Sequence, residues 1–322
     1  MKLFCVLILY IFVMVYLSKK KHNKKHNKKH RKNTRKYKKK KHIEQFYQLS
    51  KQEIKRCNKI LVDNEDKCQC FNSKQHPSND YQSCINKRRN KECSDYNDCK
   101  KEFAKFLSGD EPNYDPSNWE NPYIQSSHNC YTYFLDDKLD SLKKECHRRC
   151  LEKRKKNKNM SCPPKKGARI EKCGELKPQP GDYAVQNGNM NTINNIYTCK
   201  QMEKKVFKDN LNNNNNSIIS VGKFDDPCPH KKYKGAIVVD PGDNPKKGHT
   251  FHFYRQDKNM RYSHKPGVLP IENIDASGKA IYAPHLADRN YNKRNTKNGI
   301  NYKTFCGYYC IPHNKYAKTN AI

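Results

Sequence analysis

The chain has 322 residues, with 66 Lys or Arg against 32 Asp or Glu, a net charge of +34 and 16 cysteines. Hydrophobic residues make up only 34%, so the composition allows one modest core and some solvated sequence. A chain this basic and this rich in cysteine is not an ordinary cytosolic enzyme. It lacks a Gly-rich phosphate loop, an HExxH pattern and a GxSxG pattern, which argues against nucleotide, zincin and serine-hydrolase chemistry, and no cofactor is expected.

Residues 1–18 carry Lys2, an apolar run from Leu3 to Leu17, and Ser18. Fifteen apolar residues suit a signal peptide better than a membrane span, which needs about 17 to 25. The expectation is a secretory signal or, failing cleavage, a short anchor formed by residues 3–17. Delivery to an oxidising compartment follows either way. Residues 19–42 form a polybasic arm without a single acid. Lys19, Lys20, Lys24, Lys25, Lys28, Lys29, Arg31, Lys38, Lys39, Lys40 and Lys41 are its candidate contacts for a polyanionic surface, a sulfated glycan or nucleic acid. Like charges at i and i+4 oppose a helix, so an extended, solvated arm is expected. With Lys2 and the arm set aside, 50 bases face 32 acids, and residues 43–322 carry +18.

Residues 43–108 read as a small helical segment stapled by Cys57, Cys68, Cys70, Cys84, Cys93 and Cys99. Paired CxxC hooks are missing, so no metal is expected there. Residues 109–123, with three prolines among turn formers, read as a linker. Residues 124–322 form the second domain. Its Asn-rich runs resemble, in composition only, those of secreted proteins of apicomplexan-type parasites.

Setting Cys5 aside leaves fifteen cysteines, an odd number, so one thiol is expected to stay unpaired. The candidate is Cys130, placed after the capping residues Ser126, Ser127 and Asn129 at the start of a helix predicted to run through Leu135, Leu139 and Leu142. Exposed amides at a helix start favour a thiolate. Cys146, Cys150, Cys162, Cys173, Cys199, Cys228, Cys306 and Cys310 are then available for four disulfides. Downstream, alternation in TFHFYRQ puts His252, Tyr254 and Gln256 on one face of a strand. A three-residue turn at 257–259 would set His252 opposite His264 on the returning strand, close enough for one imidazole to orient the other. His128, Gln256 and Asp275 are the auxiliary candidates.

A thiol at a helix start followed far downstream by a strand histidine and a polar orienter is the arrangement of a nucleophile with its general base. With Cys130, Pro180-Gly181-Asp182, His252 and His264 in that order, the chain resembles the papain-like clan, specifically NlpC-type and CHAP-type peptidases and amidases. The strings HFYRQD, YSHKPG, NIDASG and CGYYC are similar to those of uncharacterised secreted bacterial proteins. The resemblance covers roughly residues 120–312. It implies an α+β, papain-like fold with an antiparallel sheet and an active-site helix. It also implies a cysteine hydrolase acting on a peptide or other amide, with Cys130 as nucleophile, His252 as base and His264 as orienter. The seventy residues between Asp182 and His252, and Asn129 where an Asp is common, depart from the pattern. They keep open a non-catalytic disulfide-rich protein that binds polyanions or a protein partner.

Overall fold

The computed structural model describes residues 48–68, 91–163, 170, 172–186, 197–210, 217–242, 250–293 and 300–313. The apolar N-terminal run, the polybasic arm, Cys70 and Cys84 lie outside these residues. The helices and strands of the described residues belong to the unit that begins at Lys51.

Two helices come first, α1 at Lys51–Cys68 and α2 at Lys91–Ala104. Ile54, Cys57, Leu61 and Cys68 make the buried stripe of α1, and Cys93, Tyr96, Cys99 and Phe103 that of α2. The cysteines therefore belong to the apolar face itself, at helical spacing. Disulfides Cys57–Cys99 and Cys68–Cys93 fasten the two stripes together. The pair leans on the rest of the unit: Phe103 packs edge-on to Phe224 at 4.9 Å, and Tyr96 shares a hydroxyl hydrogen bond with Tyr282 at 3.3 Å. Residues 109–123, expected to be a linker, contribute buried Asp110, Glu111 and Trp119. Their prolines open two short helices, α3 at Pro116–Trp119 and α4 at Pro122–Ser127, because proline is pre-set for a first helical turn.

The helix predicted from Cys130 onward is in fact two. α5 spans Cys130–Phe134 and α6 spans Asp140–Lys156. Asp136, at φ 51°, takes the left-handed conformation just after α5; Asp tolerates it better than most residues, and its carboxylate is held by Arg255 at 2.7 Å. Disulfides Cys146–Cys173 and Cys150–Cys162 tie α6 to the segment after it. Two further helices follow, α7 at Asp182–Gln186 and α8 at Cys199–Asp209.

The sheet is antiparallel with five strands: β1 Ile219–Val221, β2 Lys232–Asp240, β3 Thr250–Gln256, β4 Tyr262–Ser263 and β5 Thr304–Pro312, in the order β1-β5-β2-β3-β4. The fold is thus α+β. Tyr233, Ile237, Val239, Phe253, Tyr309 and Ile311 cover one face of the sheet and pack on Tyr131, Phe134, Met202 and Val206 from α5 and α8. Gly235 stands on this face because any side chain there would meet the Phe134 ring, 2.4 Å from an added Cβ. In β5 the register steps at Ile237/Val238, so Cys306 is an extra residue between Phe305 and Gly307. A bulge of this kind reverses the alternation. Cys306 consequently joins the helix-side core and bonds Cys199, while Cys310 points the other way and bonds Cys228.

Candidate functional site

Strand β3 is paired with β4 at Arg255 and Gln256, and Cys130 at the start of α5 packs in the core cluster that includes Phe253 of β3. The Phe253 backbone N–H, one residue from His252, favours the thiolate form of Cys130. Three sets of contacts seat the thiol. The Asn129 side chain accepts from the backbones of Tyr131 and Thr132, and Thr132 returns the bond to the Asn129 backbone, a reciprocal cap. Asn129 Nδ2 donates to Pro178 O at 2.7 Å. Tyr131 donates to Asp209, whose carboxylate also accepts from the Gly181 and Ala184 backbones at the start of α7. The Pro180-Gly181-Asp182 turn is therefore built into the support of α5, with Gly181 at φ 101°.

The two histidines meet, in a register other than the expected one. Arg255 opposes Ser263 and Gln256 opposes Tyr262, so the turn holds Asp257–Arg261 rather than residues 257–259. Met260 takes a left-handed φ of 72° within it. The slip is two residues, and because side chains alternate with period two, the face is preserved. His252 Nε2 and His264 Nδ1 are 2.8 Å apart.

Their protonation follows from the far end of the chain of bonds. Ile274 O can only accept, so His264 Nε2, 3.0 Å away, carries a hydrogen. Neutral His264 then presents a lone pair on Nδ1, and His252 must donate to it from Nε2. The unprotonated ring nitrogen of His252 is accordingly Nδ1. Burial holds the His252 pKa well below the usual imidazole range, with the neighbouring His264 acting in the same direction. Tyr302 stacks on the His252 ring at 5.2 Å.

Burial also pushes the Cys130 thiol up to about 12, although the Phe253 amide, Lys265 and Lys177 pull the other way. Burial thus works against the thiolate that a helix start would favour. A five-residue helix has little macrodipole, and Cys130 is only 5% exposed. Burial therefore favours the uncharged form of both Cys130 and His252.

The auxiliary residues have other work. His128 Nδ1 donates to Ile124 O at 3.1 Å and its Nε2 accepts from Leu139 N at 3.0 Å, so both nitrogens serve the backbone. Gln256 is buried on the strand face of His252. Asp275 accepts from Ser277, Lys279 and Asp288 backbones and so shapes the loop that presents Ile274 O to His264. Among the described residues Cys130 is the one cysteine outside a disulfide, and no cluster of metal-ligating side chains occurs.

Two residues inside the strings HFYRQD and YSHKPG that carried no role of their own in the sequence complete the surroundings. Arg255 is buried against the Tyr133 ring at 4.0 Å and reaches Asp136, Asp257, the Tyr133 hydroxyl and Asn113 O. It clamps the end of α5 to the hairpin of the histidines. Lys265 is likewise buried, beside the segment that precedes Cys130. A cavity of about 490 Å³ lies elsewhere, between α1 and residues 275–288, and neither Cys130 nor either histidine lines it.

One stretch of 54 residues, 17% of this chain, is 44% identical to Insoluble matrix shell protein 1 of Ruditapes philippinarum and spans 32% of that protein. No protein-family model matches the chain, and no solved structure matches it.

Proposed function

We propose that this chain is a secreted, papain-like thiol hydrolase cleaving a peptide or other amide bond, with Cys130 as nucleophile and His252 as base. The observation that carries the reading is the ordered relay from Ile274 O through His264 to His252, which leaves Nδ1 of His252 as the proton acceptor on β3, while the unbridged thiol of Cys130 lies in the core cluster with Phe253 of the same strand. A relay that fixes one tautomer has a use in proton transfer. In the reaction the Cys130 proton passes to His252 Nδ1 as sulfur attacks the carbonyl carbon. The imidazolium then protonates the leaving amine, and water, deprotonated by the same nitrogen, releases the acid from the thioester. The Cys130 backbone N–H is one donor for the oxyanion. Six disulfides among the described residues fit an oxidising compartment, and so does a partial similarity to a protein named for a shell matrix. No helix among the described residues is long and apolar enough to cross a membrane.

The test is made on the full chain secreted from a eukaryotic host. Peptide mapping is expected to find Cys130 as a free thiol, and a panel of casein and peptidoglycan-derived amides is expected to be cleaved by wild type and left intact by Cys130→Ala and His252→Ala. Cleavage that survives Cys130→Ala, or a bridged Cys130, sinks the reading. A second reading, a non-catalytic protein that uses its basic arm on polyanions, draws on the near-complete burial of Cys130. Absence of cleavage together with salt-sensitive heparin retention would favour it.

A further inference from the structure

The cleft of about 490 Å³ between α1 and residues 275–288 has the size of a ligand site. Three kinds of surface line it. Val62, Ala280, Leu286 and Ala287 make an apolar lining, and Leu286 is among the large apolar side chains left exposed. The space exists because small alanines stand across from α1 where a bulkier residue would fill it. Asn58, half-buried on α1, adds a side-chain amide, which carries a donor and an acceptor as a peptide group does. Lys55 and Lys59 stand one turn apart on the same helix, both exposed. The charges of the cleft are unequally committed. Asp275 accepts from the Ser277, Lys279 and Asp288 backbones, Asp288 accepts from the Asn290 backbone, and Asp63 pairs with Lys279 at 3.3 Å. Each acid therefore has a partner, whereas Lys55 and Lys59 form no hydrogen bond or ion pair with any of the described residues. Like charges one turn apart repel, and an anion between them relieves the repulsion.

We propose that this cleft binds an acidic peptide segment, with carboxylates on Lys55 and Lys59, a backbone group on Asn58 and an apolar side chain against Val62 and Leu286. The site is separate from Cys130 and the two histidines, none of which lines it, and it does not rest on the hydrolase reading. Simpler ligands leave part of the lining unused. A polyphosphate or nucleic acid satisfies the lysines and leaves the apolar lining bare, while a plain hydrocarbon leaves both ammoniums without an anion. A peptide in which acidic and apolar residues alternate meets all three surfaces at once.

The experiment uses the full secreted chain carrying Cys130→Ala, so that no turnover consumes the probe, and an acetylated Glu-Leu-Glu-Leu-Glu peptide bearing a fluorophore and a benzophenone. Photocrosslinks read by mass spectrometry are expected on α1 and residues 275–288. Fluorescence titration is expected to lose about fivefold in affinity when Lys55→Gln and Lys59→Gln are combined. Ala287→Phe fills the cleft without touching a charge and is expected to weaken binding by at least as much. Arg56→Gln with Lys67→Gln removes two cations from the same helix outside the cleft and is expected to leave the affinity in place. Crosslinks confined to residues 19–42 overturn the proposal, because the basic arm would then be the binder. So does an equal loss in the Arg56 and Lys67 control, equal affinity for a Gln-Leu-Gln-Leu-Gln peptide, or undiminished affinity in the Ala287→Phe chain. Displacement of the peptide by an oligothymidylate of equal charge at lower concentration also overturns it, since the cleft would then be a phosphate site. Should Ala287→Phe fail to fold, Leu286→Ser tests the apolar lining at an exposed position: weaker binding is expected, and undiminished affinity overturns the proposal.

Discussion

A buried imidazole whose second nitrogen is already assigned is a directional proton acceptor, and His252 owes that property to the Ile274 carbonyl at the far end of the relay. Replacing His264 with Phe keeps the ring and removes the acceptor, so the His252 tautomer is no longer selected. Turnover is expected to fall about a hundredfold or more while the fold persists, as read by kcat and circular dichroism. Asp275→Ala, which loosens the Ile274 carbonyl indirectly, is expected to lose activity by a smaller factor. His128 provides a stability signature of its own. Burial lowers its pKa from 6.5 to about 4, so the folded state refuses a proton that the unfolded chain accepts. Its contribution is complete above pH 6.5 and is lost as the pH falls towards 4, a change of about 3 kcal/mol at most. Asp137, Asp209 and Asp257, each pushed up to about 6 chiefly by burial, act oppositely between their ordinary range and 6. His128→Gln should therefore flatten the acid limb of a denaturant titration series, and an unchanged limb would show that other groups govern it. Parity explains why the facing of His252 and His264 was legible in the sequence: alternation survives any even error in turn length. The turn itself was not legible, since Met260 adopts a left-handed conformation that its residue type gives no hint of. Lys265 was equally hidden, because a lysine before Pro-Gly reads as a solvated turn residue.

At the scale of elements, the site depends on how α5 is pressed onto the sheet. Gly235 is the contact point, and an added Cβ would lie 2.4 Å from Phe134. Gly235→Ala is expected to cost about 1–3 kcal/mol in chemical denaturation and to change the alkylation rate of Cys130, because α5 must lift to accommodate it. An alanine variant with wild-type stability would mean that α5 is less tightly seated than this. The Arg255 network holds the other end. Its guanidinium contacts Asp136 and Asp257, and removing it would strand the buried Asp257 carboxylate. Only part of α5 was legible in the sequence. A helix start at Cys130 was visible from its capping residues, whereas the break after Phe134 depends on an ion pair between residues 119 positions apart. In α1, cysteines that read simply as disulfide partners also serve as members of the helical stripe. The disulfide partners themselves were beyond reach, since one bulge in β5 decides which way Cys306 faces.

For the whole molecule, charge and redox state are the controlling variables. Residues 43–322 carry +18 and the arm nearly all the remainder of +34. Deleting residues 19–42 is expected to flatten the salt dependence of heparin retention; an unchanged elution profile would place the polyanion contact in the body instead. The helix pair α1–α2 braces the far end of the histidine hairpin, where Arg261 of the turn pairs with Glu65 and the Tyr282 hydroxyl donates to Glu65 at 2.9 Å. Strain or loss in that pair is thus transmitted to the turn that carries the relay.

The two disulfides that leave β5 from opposite faces impose contradictory demands on any handling of this protein. On the proposed function, the Cys130 thiol is kept alive by reductant, but the β5 strand of the sheet is fastened by bonds that reductant cuts. Activity plotted against dithiothreitol should rise and then collapse, with a ceiling set by the first staple to open. Storage oxidation and overzealous reduction would then give the same dead preparation by different routes, distinguishable because only the first is reversed by a brief, mild thiol treatment.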